Sequence, residues 1–339
     1  MEEFFHTLFL WLSRSQWLRR MATEIPIAYQ FASRFTAGET VAEAIAAIRE
    51  LRGGGLLCTV DILGEEVATE DEAIRARDDY LALLDELHRG EAGSDISLKL
   101  TQLGLDLGLD FCVRNVETLV TRAGELGIFV CIDMEDSPRT EATLEVWRRL
   151  HAEYDNVGIV IQSYLYRSEA DLDVLCNAGA TVRLCKGAYK EPPAVAFPSK
   201  ADVDANMIRL MRLMLDRTRA MPAGERPYLA MATHDEKMIA ATKTYASKLG
   251  VPADTFEFQM LYGIRRDLQE ALAAEGYRMR VYVPFGTEWY PYYMRRMAER
   301  PANLIFVVKA LLKESPNLSA YLLLALGLFL LLLFRRRRR

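Results

Sequence analysis

The sequence is poor in residues that bind metals or form disulfides. It has four histidines and five cysteines in 339 residues. No two cysteines stand at CxxC spacing, and His234 has no second His or Cys at ligand spacing, so a zinc ribbon or finger is excluded and no metal is expected. The cysteines (Cys58, Cys112, Cys131, Cys176 and Cys185) are scattered and odd in number. They read as reduced, packed thiols of a cytosolic protein, and Cys185, although beside Lys186, as inert. No GxGxxG phosphate fingerprint, internal repeat or low-complexity linker appears. Basic residues are scarce away from the extreme C-terminus. Without the five terminal arginines, 37 basic residues face 47 acidic ones. A body that acidic is a poor binder of nucleic acid, which needs clustered Lys and Arg.

What is abundant is apolar. Hydrophobic residues make up 51% of the chain, ample for one large core. The opening MEEFFHTLFLWLSRSQWLRRM is aromatic but starts with acids, unlike a secretory signal. It reads as part of an N-terminal helical arm, residues 1–52, with a surface-lying membrane helix as the alternative. Leu318 to Phe334 is an uncharged run of 17 residues followed by Arg335 to Arg339. As a helix it would span roughly 26 Å, at the short end for crossing a bilayer. Residues 318–339 are expected to anchor the chain to a lipid bilayer, spanning or lying in one leaflet. The arginines resist translocation, so a helix spanning outward from a cytosolic domain would break the positive-inside tendency; the expected location is the cytoplasmic face of a bacterial inner membrane.

Between these ends, β-rich apolar runs alternate with helical stretches. The pattern predicts strands at Leu56–Asp61, Ile96–Leu100, Ile128–Asp133, Val157–Gln162, Thr181–Lys186, Tyr228–Thr233, Thr255–Gln259 and Arg280–Pro284. Helices are predicted over Thr69–Arg89, Leu109–Leu126, Thr140–Tyr154, Glu169–Ala178, Val203–Ala220, Asp235–Leu249 and Arg266–Glu275. Strand–helix units in this order argue for an α/β fold, a (β/α)8 TIM barrel over residues 53–312, rather than an open doubly wound sheet. Gly53-Gly54-Gly55 reads as a flexible lead into the first strand.

Active sites of this fold sit at the C-terminal ends of the strands. Strand 1 ends in Asp61, with Glu65 just after; strand 2 carries Lys99; strand 3 ends in Asp133, with Glu135 and Asp136 following. Strand 4 ends in Gln162, and strand 5 has Arg183 and then Lys186-Gly187-Ala188-Tyr189. Strand 6 ends in Thr233-His234-Asp235 and strand 7 in Gln259, while strand 8 gives Tyr282. In YPYYMRRMAERP, Tyr292, Arg295, Arg296 and Glu299 share one side of a helix. Adjacent arginines make a fork for a carboxylate; the alternative is a solvated basic face. In RLCKGAY, Gly187 lets backbone N–H groups approach an anion; the alternative is a plain strand end with a glycine turn. Lys99 suits an anion or a Schiff base. Glu135 and Asp136 could instead be a helix N-cap cluster.

The runs LGEE, ISLKLTQLGL, IDMED, RLCKGAY, ATHD, EFQMLYG, YVPFG and YPYYMRRMAERP, in order from about Leu56 to Asn303, resemble the proline dehydrogenase family. That family includes monofunctional bacterial enzymes and the corresponding domain of bifunctional proline utilisation proteins. The resemblance implies a distorted (β/α)8 barrel, noncovalent FAD and oxidation of L-proline to Δ1-pyrroline-5-carboxylate. It also implies electron delivery to a membrane quinone, and a pyrroline-5-carboxylate dehydrogenase would act downstream.

Carried over by motif, Arg295 and Arg296 resemble the carboxylate clamp, helped by Lys99. Asp133, Tyr282, Tyr292 and Leu261 resemble the rest of the substrate pocket. Arg183 would face flavin N5, with Gln162 also on the isoalloxazine. Lys186, Gly187, Ala188, Tyr189, Thr233, His234 and Gln259 would hold the remaining FAD. Glu65 resembles a gate acid paired with the first clamp arginine, and Glu299 an acid steadying the second. The C-terminal Leu run is not a family feature, so the anchor rests on sequence physics alone. Two alternatives stay open: a hydroxyproline dehydrogenase, in which a smaller residue would replace Tyr282, and a Schiff-base aldolase using Lys99 or Lys186.

Overall fold

The computed structural model describes residues 34–222 and 227–299, the last five in backbone only. Its strands are β1 (Leu57–Ile62), β2 (Ser94–Leu98), β3 (Val130–Ile132), β4 (Val157–Gln162), β5 (Thr181–Cys185), β6 (Tyr228–Ala232), β7 (Phe256–Leu261) and β8 (Arg278–Phe285). Every neighbouring pair is parallel, and β8 pairs with β1, so the sheet closes into a barrel in chain order. All eight predicted strands are present, most within two residues of their expected bounds.

The helices are α1 (Val41–Gly53), α2 (Glu70–Arg89), α3 (Leu109–Glu125), α4 (Thr140–His151), α5 (Ser168–Asn177), α6 (Lys200–Ala220), α7 (Glu236–Leu249), α8 (Arg266–Ala274) and α9 (Trp289–Glu299). Local chemistry sets several of their starts. Thr40 with Glu43 and Thr69 with Glu72 form capping boxes at α1 and α2, and Asp235 caps α7 through Lys237 N–H. α1 falls within the expected arm, yet Ala44 and Ile48 are fully buried and the helix packs on β1 and β8. It thus lies against the seam where the barrel closes. The three glycines after it are its stop: Gly53 is its last residue, Gly54 its cap, and Gly55 has φ +80°.

The chain divides into two compact units, one of them Ser33–Trp289. Of the other, only the stretch from Tyr290 is described, and there Tyr290, Tyr292 and Tyr293 are buried. The side chains of Arg295, Arg296 and Glu299, residues 1–33 of the expected arm and the expected anchor at 318–339 lie outside the described residues. Among the described residues no helix is long and apolar enough to cross a membrane.

The main apolar core lies between barrel and helices, not along the barrel axis. Cys58, Val60, Phe256, Phe258, Met279, Val281 and Val283 belong to it, together with residues of the surrounding helices. The alternate positions of the same strands, Thr59, Asp61, Glu257, Gln259, Arg280 and Tyr282, face the axis and bond there to one another or to Ser97, Lys99 and Arg183. Barrel interiors are usually filled by branched apolar side chains. Here the axis is polar.

The buried thiols match their expected inertness. Burial pushes Cys58, Cys131 and Cys176 up to about 12.

Candidate active site

The axis is organised in tiers. At the N-terminal end, Arg280 on β8 meets Glu257 at 2.7 Å and Asp95 at 2.5 Å. One tier up, Arg183 on β5 uses all three sides of its guanidinium. Nε donates to Gln259 Oε1 at 2.6 Å, Nη1 to Asp133 Oδ1 at 2.7 Å and Nη2 to Ser97 Oγ at 2.9 Å. The guanidinium also lies 5.3 Å from the centroid of the Tyr282 ring.

Lys99 stands just beyond β2. Its ammonium donates to Asp61 Oδ2 at 2.9 Å, Asp133 Oδ2 at 3.3 Å and the Tyr282 hydroxyl at 3.2 Å. The Tyr282 hydroxyl donates to the same Asp133 oxygen at 2.8 Å. Burial works against the charge on Lys99, but Asp61, Tyr282, Asp133 and Glu65 outweigh it and hold the ammonium well above the usual lysine range. Two cations, Lys99 and Arg183, are therefore balanced by two carboxylates, Asp61 and Asp133.

Asp61 is a residue the sequence placed at the strand end but gave no role. It is 1% exposed and also receives the Tyr80 hydroxyl, from α2, at 3.2 Å. Ser97 and Glu257 were likewise unassigned. The signal for all three was there: polar residues at period two inside strands covered on both faces.

Glu135 is 4% exposed and caps nothing. It accepts from Thr101 N–H at 3.0 Å and Thr101 Oγ1 at 2.6 Å, tying the end of β3 to that of β2. Burial raises its carboxyl to about 7. Asp136 makes no side-chain cap either; it pairs with Arg139 at 2.8 Å.

The remaining expected residues cluster around the ends of β4 to β7. Gln162 donates to the Met134 carbonyl at 3.2 Å, while its buried Oε1 has no partner among the described residues. Lys186 is held by Asp204 at 2.6 Å and Asp235 at 2.8 Å. Gly187 has φ +104°, and a Cβ there would lie 2.5 Å from the Tyr164 ring, so backbone and ring leave no room for a side chain. Thr233 Oγ1 accepts from Asp235 N–H at 3.1 Å. His234 Nε2 accepts from Leu261 N–H at 3.0 Å, joining the ends of β6 and β7. Leu261 is half-buried beside them, and Glu65 lies close enough to Lys99 to favour its charge. Ala188 and Tyr189 follow Gly187 in the irregular segment after β5.

A closed parallel barrel with a charged, hydrogen-bonded axis, and further polar groups at its C-terminal strand ends, is the framework of a (β/α)8 enzyme. The sequence profile of the proline dehydrogenase family matches residues 44–309. Proline dehydrogenase 1 of Bacillus subtilis (strain 168) is 42% identical over 307 residues, covering 91% of this chain and 99% of that protein. Proline dehydrogenase of Deinococcus radiodurans is 43% identical over 290 residues, 84% of this chain and 91% of that one. A crystal structure of proline utilization A (PutA) from Bdellovibrio bacteriovorus, inactivated by N-propargylglycine, superposes with a TM-score of 0.74 at 29% identity, over 80% of this chain and 32% of the other. The chain belongs to the proline dehydrogenase family of oxidoreductases.

Proposed function

We propose that this chain oxidises L-proline to Δ1-pyrroline-5-carboxylate with FAD as its resident cofactor. The observation that carries the reading is the Arg183–Asp133–Lys99–Tyr282 network, which runs along the barrel axis to the ends of β2 and β3, in a chain of this family.

The residues present suit a flavin. Gln162 Oε1 is buried and has no partner among the described residues, so a ligand N–H would satisfy it. Gly187, with φ +104°, brings backbone against the Tyr164 ring where no Cβ would fit. Arg183 is a fixed cation. Gln162, Arg183, Lys186, Gly187, Ala188, Tyr189, Thr233 and His234 would hold FAD. Gln259, whose Oε1 and Nε2 each keep capacity beyond their bonds to Arg183 and Glu257, would hold it too and orient Arg183. When bound, FAD supplies a two-electron hydride acceptor.

Charge balance assigns the rest. Lys99 and Arg183 are already neutralised by Asp61 and Asp133. A substrate carboxylate therefore needs further cations, and Arg295 and Arg296 supply them by motif, with Lys99 assisting. Tyr282, Tyr292, Leu261 and Asp133 would bound the proline ring, and Glu65 and Glu299 would steady the arginines. The fixed carboxylate then aims C5, and no strong base is required once the ring amine has lost its proton. The Tyr282 ring leaves little space at C4, which argues against 4-hydroxyproline. A Schiff-base aldolase is disfavoured, because Lys99 is held as an ammonium between two aspartates and Lys186 is doubly paired. The electrons would leave to a membrane quinone, with the chain held at the cytoplasmic face of a bacterial inner membrane by residues 318–339. A pyrroline-5-carboxylate dehydrogenase would take the product.

The test is the visible spectrum of the purified protein under anaerobic conditions. A flavin band should be present, and L-proline should bleach it. Equal bleaching by D-proline or 4-hydroxyproline would overturn the pocket assignment.

A further inference from the structure

The lower tier of the barrel axis carries an arrangement that reaches up to the candidate site. Glu257 on β7 is 2% exposed. Its Oε1 accepts from Arg280 Nε at 2.7 Å and from Gln259 Nε2 at 2.5 Å. Its Oε2 accepts from Arg280 Nη2 at 3.1 Å and from the Tyr228 hydroxyl at 3.3 Å. Gln259 lies two residues along the same strand and so on the same face. Its Oε1 accepts from Arg183 Nε at 2.6 Å.

An amide side chain has the same shape in either flip; only its donor and acceptor ends differ. A carboxylate salt-bridged to Arg280 accepts and does not donate. It therefore takes the NH2 end of Gln259 and leaves the carbonyl for Arg183. In the opposite flip, two donors would face each other, Gln259 Nε2 against Arg183 Nε, and a buried carboxylate would face a carbonyl. With Nε fixed, the plane of the guanidinium delivers Nη1 to Asp133 and Nη2 to Ser97.

We propose that Glu257 is a positioning residue of the active site: from the lower tier it selects the flip of Gln259 and thereby sets the plane of the Arg183 guanidinium. This rests on the reading of Arg183 as the cation that faces the flavin.

The experiment uses the full-length, flavin-loaded protein with Glu257→Gln, Gln259→Met, the double variant and Arg183→Gln. Glu257→Gln keeps the shape but can set a donor beside Gln259, so only Arg183 still favours the native flip. Its flavin reduction potential and absorbance maximum should move in the same direction as in Arg183→Gln, and by less. Its kcat should fall on the order of tenfold with KM little changed. The double variant should match Gln259→Met, since the influence passes through that residue. If Glu257→Gln does not fold, Gln259→Met carries the test through the same signature. A lowered melting temperature with unchanged potential and spectrum, or additive effects in the double variant, would overturn the proposal. If Arg183→Gln itself leaves the potential unchanged, both the proposal and the reading of Arg183 fail. If Arg183→Gln shifts it and Glu257→Gln does not, only the positioning role falls.

Discussion

Arg183 and Asp133 meet at 2.7 Å on the barrel axis, with side chains 7% and 14% exposed, and the second oxygen of the same carboxylate receives both Lys99 and Tyr282. One carboxylate thus joins the cation assigned to the flavin to the groups assigned to the substrate. Asp133→Asn keeps the shape but must turn an NH2 toward one set of donors. The expected loss is about 2–5 kcal/mol in transition-state stabilisation, read as kcat/KM. Flavin content should survive, because the backbone around Gly187 is untouched. A variant with wild-type kcat/KM would remove Asp133 from the site.

Lys99→Met tests the charge balance in the fold itself. It leaves Asp61, 1% exposed, without its cation. Breaking a buried pair from one side typically costs about 3–5 kcal/mol, whereas removing both charges costs much less. Denaturant unfolding should therefore show Lys99→Met as strongly destabilised, and Asp61→Asn with Lys99→Met as partly recovered. Equal stability of the single and double variants would mean the pair is not coupled.

Glu135 predicts a pH dependence of stability. Burial raises its folded pKa from 4.5 to about 7, against the pull of its two Thr101 hydrogen bonds. Between these values the folded state holds a proton that the unfolded state has lost. Stability from this group is therefore full below about pH 4.5 and falls as pH rises toward 7, by a few kcal/mol at most, then stays level. Glu135→Gln mimics the protonated form and should flatten that part of the profile. Melting temperatures of both proteins from pH 5 to pH 8 check this; parallel curves would assign the slope to other groups.

The strands were legible because buried parallel strands are short apolar runs separated by helical periodicity, and β4, Val157–Gln162, falls at its expected bounds. The strand-end residues were legible because the fold places sites there. Lys99, Asp133, Arg183 and Tyr282 all meet in space. What the linear pattern could not supply was pairing. Asp61 and Lys99 are 38 positions apart, and nothing in the sequence says they form an ion pair. Gln259 was assigned by motif alone, and the motif did not show that its two ends also join Arg183 to Glu257 within the barrel. The capping helix α1 was absorbed into the arm because its role depends on β8, more than 200 residues later. Glu135 read as a possible cap until its partner proved to be Thr101 at the end of the neighbouring strand.

Leu318 to Phe334 holds 17 residues without a charge, and five arginines follow. Apolar burial contributes about 0.8 kcal/mol per CH2 group, so even partial insertion of the leucines holds a protein to a bilayer. Arginines near an anionic surface add about 1 kcal/mol each. The rest of the chain, with 37 basic and 47 acidic residues, is repelled by such a surface. Location should then be decided by the tail alone. The family profile ends at residue 309, so a chain cut after Ser315 keeps the whole matched region. That truncated protein should be soluble, flavin-loaded and fully active with a water-soluble dye. With quinone embedded in vesicles it should be slow, because it no longer shares the bilayer with its acceptor. Fractionation with anionic-lipid vesicles, compared for the two lengths, reads the first half; dye and quinone assays side by side read the second. A full-length protein that stays in the supernatant, or a truncated one that keeps full quinone activity on vesicles, would overturn the anchor and leave the oxidation of proline standing.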